Sequence, residues 1–327
     1  MQEPENSSLK LFEPSRHASV SMAPAIVTNA GTNAKFAWDE FFQGKLRNKH
    51  TRTAYLRCVR RFLRWAEPRQ PNLASIPPGM VGQYFDELPV SIPSKKLHMA
   101  ALRAFFDVLV QRHVVVLNPA LSVRTERYSA VEGRTPEITV EQSRKLLSAI
   151  PLKSVADYRD RAIIAVLIYT AARAGAVAKL RWKDYLSDGT QFTLRFSEKG
   201  GKVRTIPVRH DLQQFLQEFS LVSGSENEPK DSPIFRTLDG SRNLLTNRAV
   251  NGVDICRMVK KRLAAASLPI QISPHSFRSC AATDLLLQGV ALEDVQYLLG
   301  HTDARTTRLY DRRQQQITRN IVERISV

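Results

Sequence analysis

Hydrophobic spacing changes character once along this chain, and that change limits what it can fold into more than any other feature. From Trp38 to about Val116 apolar residues recur every three or four positions, broken by Pro68, Pro71, Pro77, Pro78 and Pro93, so four helices are expected there. Asn118-Pro119 ends that block. Residues 122 to 136 (Arg124, Glu126, Arg127, Glu132, Arg134, then Pro136) have the polar, charged composition of a linker. Thr139 can cap a new helix near Val140, and Tyr158 to Tyr169 is apolar enough for a buried one. Between 191 and 208 the spacing becomes alternation: Phe192-Thr193-Leu194-Arg195-Phe196, a Lys199-Gly200-Gly201-Lys202 turn, then Val203 to Val208, which is a hairpin signal. Helical spacing returns at 211–220, 246–266, 275–288, 291–299 and 303–323. The expected fold is mainly α: a helical domain over 36–121, a linker over 122–136, and a second domain over 137–327. The second domain is mostly helical, with a small antiparallel sheet and a tail helix. Residues 1–35, rich in Ser, Ala, Asn and Pro, are expected to be a flexible extension.

Lys and Arg number 48 against 31 Asp and Glu, a formal charge of +17 that calls for a polyanion, nucleic acid first. The first 35 residues are balanced at three and three. The excess lies in 36–130, with fifteen basic and seven acidic residues, and in 131–327, with thirty and twenty-one. Within 52–66, Tyr55, Leu56, Val59, Phe62, Leu63 and Ala66 share one helix face, while Arg57, Arg60, Arg61 and Arg64 share the other. A single charged helix face is usually only solvated. Four arginines with no acid among them point to phosphate contacts. Lys95 and Lys96, with Arg103 and Arg112, surround an apolar stripe of Leu97, Ala101, Phe105 and Val108 on a second helix that could line the same surface. Cys58, Cys256 and Cys280 form neither a CxxC pair nor a disulfide framework, which fits a reducing cytosol, and no apolar run reaches membrane-spanning length. No metal, no cofactor and no membrane partner are expected.

The last third carries the chemistry. Pro274 suits the first position of a helix capped by Ser273, and His275 and Arg278 then stand three apart at its partly positive N-terminus, an arrangement that suits an anionic oxygen. Leu299-Gly300-His301 closes the next helix, with Gly300 just past its end, and Tyr310 follows, flanked by Arg308, Arg312 and Arg313. A phenol is unreactive near its ordinary pKa of about 10, and clustered cations would stabilise its phenolate and attract a phosphodiester. Taken alone, each element has a plainer reading: a capping His beside a solvated Arg, or a half-buried core tyrosine.

Their combination, His275-x-x-Arg278, Leu299-Gly300-His301 and Tyr310 nine residues on, resembles the tyrosine recombinases, the phage integrase family. Tyr169-Thr170-Ala171-Ala172-Arg173 with Leu180-Arg181-Trp182-Lys183-Asp184 is similar to the family's first arginine box, and Lys199 to Pro207 to its lysine-bearing turn. The resemblance runs from about Ala37 to Ile321 and includes a helical block similar to the family's core-binding, SAM-like domain.

That resemblance implies a DNA site-specific recombinase that integrates, excises or resolves mobile DNA. Tyr310 would form a 3'-phosphotyrosine, Arg173 and Arg278 would clamp the non-bridging oxygens, and His301 would donate to the same phosphate. Lys199 would be the general acid, with Lys202 as its substitute, and His275 would support proton transfer or orientation. The DNA contacts expected besides these are Arg57, Arg60, Arg61, Arg64, Lys95, Lys96, Lys202 and Arg204. A dimer on one DNA site, a tetramer in the synaptic complex and a cytoplasmic, nucleoid-associated location follow from the same resemblance. Two positions depart from the family's pattern: Ala171 stands where Gly is common, and Ala176 where an acidic residue is common. After Tyr310, Ile317, Ile321 and Ile325 form an apolar stripe, in the family a tail that packs on a neighbouring subunit. The competing readings are a type IB topoisomerase-like relaxing enzyme and a DNA-binding architectural protein weakened in catalysis. The arginine-striped helical block and the Leu-Gly-His spacing favour the recombinase.

Overall fold

The computed structural model describes residues 22–69, 71–126, 136–198, 201–240 and 244–311. The chain divides into two compact units, with the division between Ser129 and Ala130. Most of the expected linker, 127–135, lies outside the described residues, as do 1–21 and everything after Asp311.

The described residues of the first unit form helices and no strands. Helices α1 (Ala25–Thr28) and α2 (Thr32–Asp39, continued by a π-helical turn Glu40–Lys45) lead into α3 (Lys49–Ala66), α4 (Pro78–Glu87) and α5 (Ile92–Gln111). The fold therefore starts about ten residues before the expected end of the extension at 35. Ile26, Val27 and Ala34 are buried in the same core as Trp38, and their small number among polar neighbours hides that role in the sequence. Asn48 caps α3 by accepting from the His50 and Thr51 amides, and Pro78 starts α4. The core is aromatic: Trp38 lies 4.5 Å from Phe42 and edge-on to Phe105, and Phe62 meets Tyr84 and Phe106 edge-on. Such tilted contacts add about 1 kcal/mol each to the burial itself. The α3 face holds as expected, with Leu56, Val59, Phe62, Leu63 and Ala66 inward and Arg57, Arg61 and Arg64 exposed. On α5 the expected stripe holds at Ala101, Phe105 and Val108, but Leu97 is exposed. After α5, the Asn118 amide donates to the Arg103 carbonyl and to Asp107, and its oxygen accepts from the Ala120 amide, fixing the turn.

The second unit opens with α6 (Val140–Ser148), whose Thr139 cap and Gln142 form a reciprocal capping box. Helix α7 (Val155–Thr170) is buried on nearly every side, and α8 (Ala174–Val177) follows it directly. Strands β1 (Tyr185–Ser187), β2 (Phe192–Ser197) and β3 (Val203–Pro207) make an antiparallel sheet in which Leu194 faces Ile206 and Phe196 faces Arg204. Helix α9 (His210–Ser223) packs on α7. Next come β4 (Arg236–Asp239) and β5 (Leu244–Ala249), then α10 (Gly252–Ala265), α11 (Pro274–Leu287), α12 (Leu292–Leu299) and α13 (Ala304–Arg308).

The helix expected from 246 therefore starts at Gly252, because Leu244–Ala249 pairs with β4. That hairpin is interrupted by a register shift and is only partly buried, so neither strand shows clean alternation. Of the helix expected over 303–323, α13 ends at Arg308 and the tail lies outside the described residues. Arg262 of α10 bonds Asp157 and Asp160 of α7 at 2.8 and 2.7 Å, which fixes the two helices against each other. A small separate core of Ala171, Ala282, Leu286, Val295 and Leu299 joins the end of α7 to α11 and α12, and Tyr310 packs on its edge. Among the described residues no helix is long and apolar enough to cross a membrane.

Candidate active site

Helix α7 ends at Ala171, which takes the left-handed conformation (φ 49°) and turns the chain so that Arg173 leads into α8. Pro274 starts α11 as expected, with the Ser276 hydroxyl accepting from the Ser273 amide. Arg278 lies one turn into α11 and is 1% exposed, the largest side chain buried so completely among the described residues. Its guanidinium donates to the Ala171 carbonyl at 2.7 Å and to the Leu299 carbonyl, so one cation closes the ends of α7 and α12. Its Nε has no partner among the described residues, a buried donor that costs about 1–3 kcal/mol unless something occupies it.

Gly300 caps α12 at φ 61°, a conformation that disfavours any Cβ, and hands the chain to His301. The His301 ring is fixed by Thr307, buried on α13, whose hydroxyl lies 2.9 Å from Nδ1. The Tyr310 ring stacks over His301 at 6.1 Å and 14°, and its hydroxyl stands 3.5 Å from His275 Nε2. Arg173, His275, Arg278, Gly300, His301, Thr306 and Tyr310 line one cavity of about 390 Å³. Burial, then Arg278, Arg173, His275 and Arg204, pushes His301 down to about 4, so its imidazole is neutral at pH 7. Burial, then Arg173 and Arg204, lowers Arg278 to about 10, still charged at that pH.

Five of the six residues expected to act on the phosphate thus meet in one cavity; the sixth, Lys199, lies outside the described residues. Lys202 is exposed on the hairpin. Arg204 is corrected as a surface DNA contact: it is 5% exposed, because it alternates inward with Ile206, and it pairs with Glu198 at 2.9 Å. Glu198 was missed. It keeps the inward parity of Leu194 and Phe196, and that parity was the signal that could have found it. Thr307 was missed too, and nothing local distinguishes it from Thr306. Among the expected contacts in the first unit, Arg60 donates to the Met22 carbonyl and Lys95 pairs with Glu126, so both already have partners. Lys96 is exposed.

The sequence profile of the Phage integrase family matches residues 136–316, and that of the Phage integrase N-terminal SAM-like domain matches 38–113. The chain belongs to the phage integrase family of tyrosine recombinases. Tyrosine recombinase XerC of Syntrophus aciditrophicus is 31% identical over 219 residues, covering 65% of this chain and 67% of the relative. The XerC of Halalkalibacterium halodurans is 29% identical over 279 residues, covering 81% and 88%. The fold matches the crystal structure of XerH site-specific recombinase bound to palindromic difH substrate in a post-cleavage complex. That match has a TM-score of 0.66 and 17% identity, and it covers 88% of this chain and 84% of that one. As a tyrosine recombinase of this family, the protein is a site-specific recombination enzyme with a SAM-like helical domain ahead of its integrase domain.

Proposed function

We propose that this recombinase cuts and rejoins double-stranded DNA through a covalent bond between Tyr310 and a 3'-phosphate. The observation that carries the reading is the convergence of Arg173, Arg278, His275, His301 and Tyr310 on one cavity, from stretches 137 residues apart at their extremes. Tyr310 Oη attacks the phosphorus, the bond to the 5'-oxygen breaks, and the freed strand leaves as a 5'-hydroxyl. Lys199 is proposed to give that oxygen its proton, with Lys202 as its substitute. Arg173 and Arg278 hold the non-bridging oxygens, where donors fixed in advance stabilise charge as it grows. Neutral His301 can donate from Nε2 when its Nδ1 accepts from the Thr307 hydroxyl, and His275 beside the phenol can assist its deprotonation.

The energy of the cleaved phosphodiester is kept in the phosphotyrosine ester, so another strand's 5'-hydroxyl can reverse the step without a nucleotide cofactor. The helical unit with its α3 arginine face is proposed as the core-binding DNA domain, 36–121, and residues 137–327 as the catalytic domain. Palindromic sites impose two-fold symmetry on the proteins that bind them. A dimer on one site and a tetramer joining two sites follow for an enzyme that exchanges strands between duplexes.

The test is a duplex recovered from fragments that the protein protects, nicked beside the scissile phosphate so that the released piece diffuses away. Wild-type protein is expected to accumulate a covalent adduct that Tyr310→Phe does not form. No adduct with the wild type would leave a DNA-binding protein, and relaxed supercoils without joined products from two sites would point to a topoisomerase.

A further inference from the structure

We propose that Glu198 is a positioning residue for Arg173: one buried carboxylate, presented by the β2–β3 hairpin, aims that guanidinium at the phosphate site. The Glu198 side chain is 5% exposed and divides its two oxygens, Oε2 to Arg173 at 2.6 Å and Oε1 to Arg204 at 2.9 Å. Arg204 also reaches the Thr170 carbonyl at the end of α7, three residues before Arg173. On its third side the carboxylate lies against Gly300, where an added Cβ would come within 2.9 Å of Oε2. A single side chain therefore abuts the start of α8, the hairpin that leads into Lys199, and the residue before His301.

Arg173 needs such a partner more than Arg278 does. Arg278 is fixed by two backbone carbonyls inside the fold, whereas the Arg173 side chain is 48% exposed. Ala176, at the end of its first turn onward and buried, has no polar atom to offer. A long cation free to sample rotamers must be ordered at the moment of reaction, and an acid that holds one edge of the fork leaves the other donors preorganised. The carboxylate works against binding at the same time, because a negative charge beside an anion site repels the phosphate. Its place between two guanidiniums is explained by geometry and not by affinity.

That opposition gives the proposal a signature. Resting on the strand-cleavage reading above, it predicts that Glu198→Gln slows single-turnover cleavage at saturating DNA by about 10- to 100-fold while non-covalent DNA affinity stays equal or rises. In an Arg173→Lys background, where the fork is already lost, the same change is expected to alter the rate by less than about twofold. Glu198→Asp keeps the charge but is one methylene short of bridging both guanidiniums, and it should also cleave slowly. It replaces the Gln variant in every arm should that variant unfold.

An unchanged or faster rate in Glu198→Gln overturns the proposal, as does affinity that falls with the rate, or an equal loss in both backgrounds. The last outcome would mean that the carboxylate serves the hairpin through Arg204 alone. Wild-type protein that forms no adduct would remove the cleavage reading itself, which is a different failure from an adduct that forms at full speed without Glu198.

Discussion

On α3 the guanidinium groups of Arg57, Arg61 and Arg64 stand in solvent, whereas in the second unit Arg278 and Arg204 are buried and Arg173 is held by Glu198. A solvated guanidinium costs folding almost nothing and can attract a phosphate by releasing counterions, with little demand on where that phosphate sits. A buried one has already given up its water and rotamers, so it favours charge at one place only. The contrast separates loose attraction from fixed placement, within a single residue type.

The largest expected effect tests the buried side. Arg278→Ala leaves the Ala171 and Leu299 carbonyls without their donor and opens a cavity, so unfolding in urea should show a loss of about 3 kcal/mol. Adduct formation should fall at least ~100-fold. Arg57→Ala should change stability by less than about 0.5 kcal/mol. Equal stability losses at the two sites would break the comparison.

Gly300→Ala comes next. The left-handed backbone costs a side chain about 1–2 kcal/mol, and the new methyl would press on the Glu198 carboxylate. A stability loss of about 2 kcal/mol is expected, with cleavage slowed about tenfold as Glu198 shifts. A variant with wild-type cleavage would show that the Gly300 contact is incidental.

How much of this could be read from the sequence depends on the range over which each signal acts. His275 with Arg278, and Gly300 before His301, are spaced by helix geometry and a helix end, which are local rules, and the structure places them as expected. Arg173 was legible only through the family's spacing, since nothing nearby says that α7 ends in a left-handed residue. Glu198 was passed over and Arg204 misread because a charged hairpin residue normally faces water. Their burial depends on strand register and on Gly300, about a hundred residues on. Residues 246–249 of β5 were read as the start of a helix, and β4 was passed over, for a related reason: one register shift and partial exposure erase the alternation that would have revealed the hairpin.

The solvent side is tested by salt. Arg57→Ala and Arg61→Ala should each reduce the slope of log affinity against log salt by about 0.9, the release expected for one phosphate contact. Arg60→Ala should change the slope less, because that guanidinium already donates to the Met22 carbonyl. Unchanged slopes in the first two would remove α3 from the DNA interface and leave the comparison with one member.

His301 gives a smaller effect with a definite sign. Burial and the surrounding arginines hold its pKa near about 4 in the DNA-free protein, below the value of the unfolded chain. As pH falls from about 6.5 toward 4 the unfolded state binds the proton first, so this group subtracts stability across that window and not above it. An imidazole titration by NMR should show a midpoint near 4 without DNA, moving upward when a phosphate enters the cavity. A midpoint above 6 in the free protein would mean that the cations do not act on this ring as their placement requires.

Ala171→Gly should have the smallest effect, because three contributions nearly offset. Glycine relieves the left-handed strain, worth about 1–2 kcal/mol, but it gives up chain entropy in the unfolded state worth about 0.5–1 kcal/mol. It also deletes a fully buried methyl, worth about 0.8 kcal/mol, from the small core shared with Leu286 and Leu299. The net change expected in a denaturation curve is under about 1 kcal/mol. The carbonyl that receives Arg278 belongs to the backbone and survives the substitution. A gain beyond that bound would show that strain at the end of α7 is the dominant cost. A loss beyond it would show that the methyl matters more, and that the core beneath Tyr310 does not close over the space it leaves.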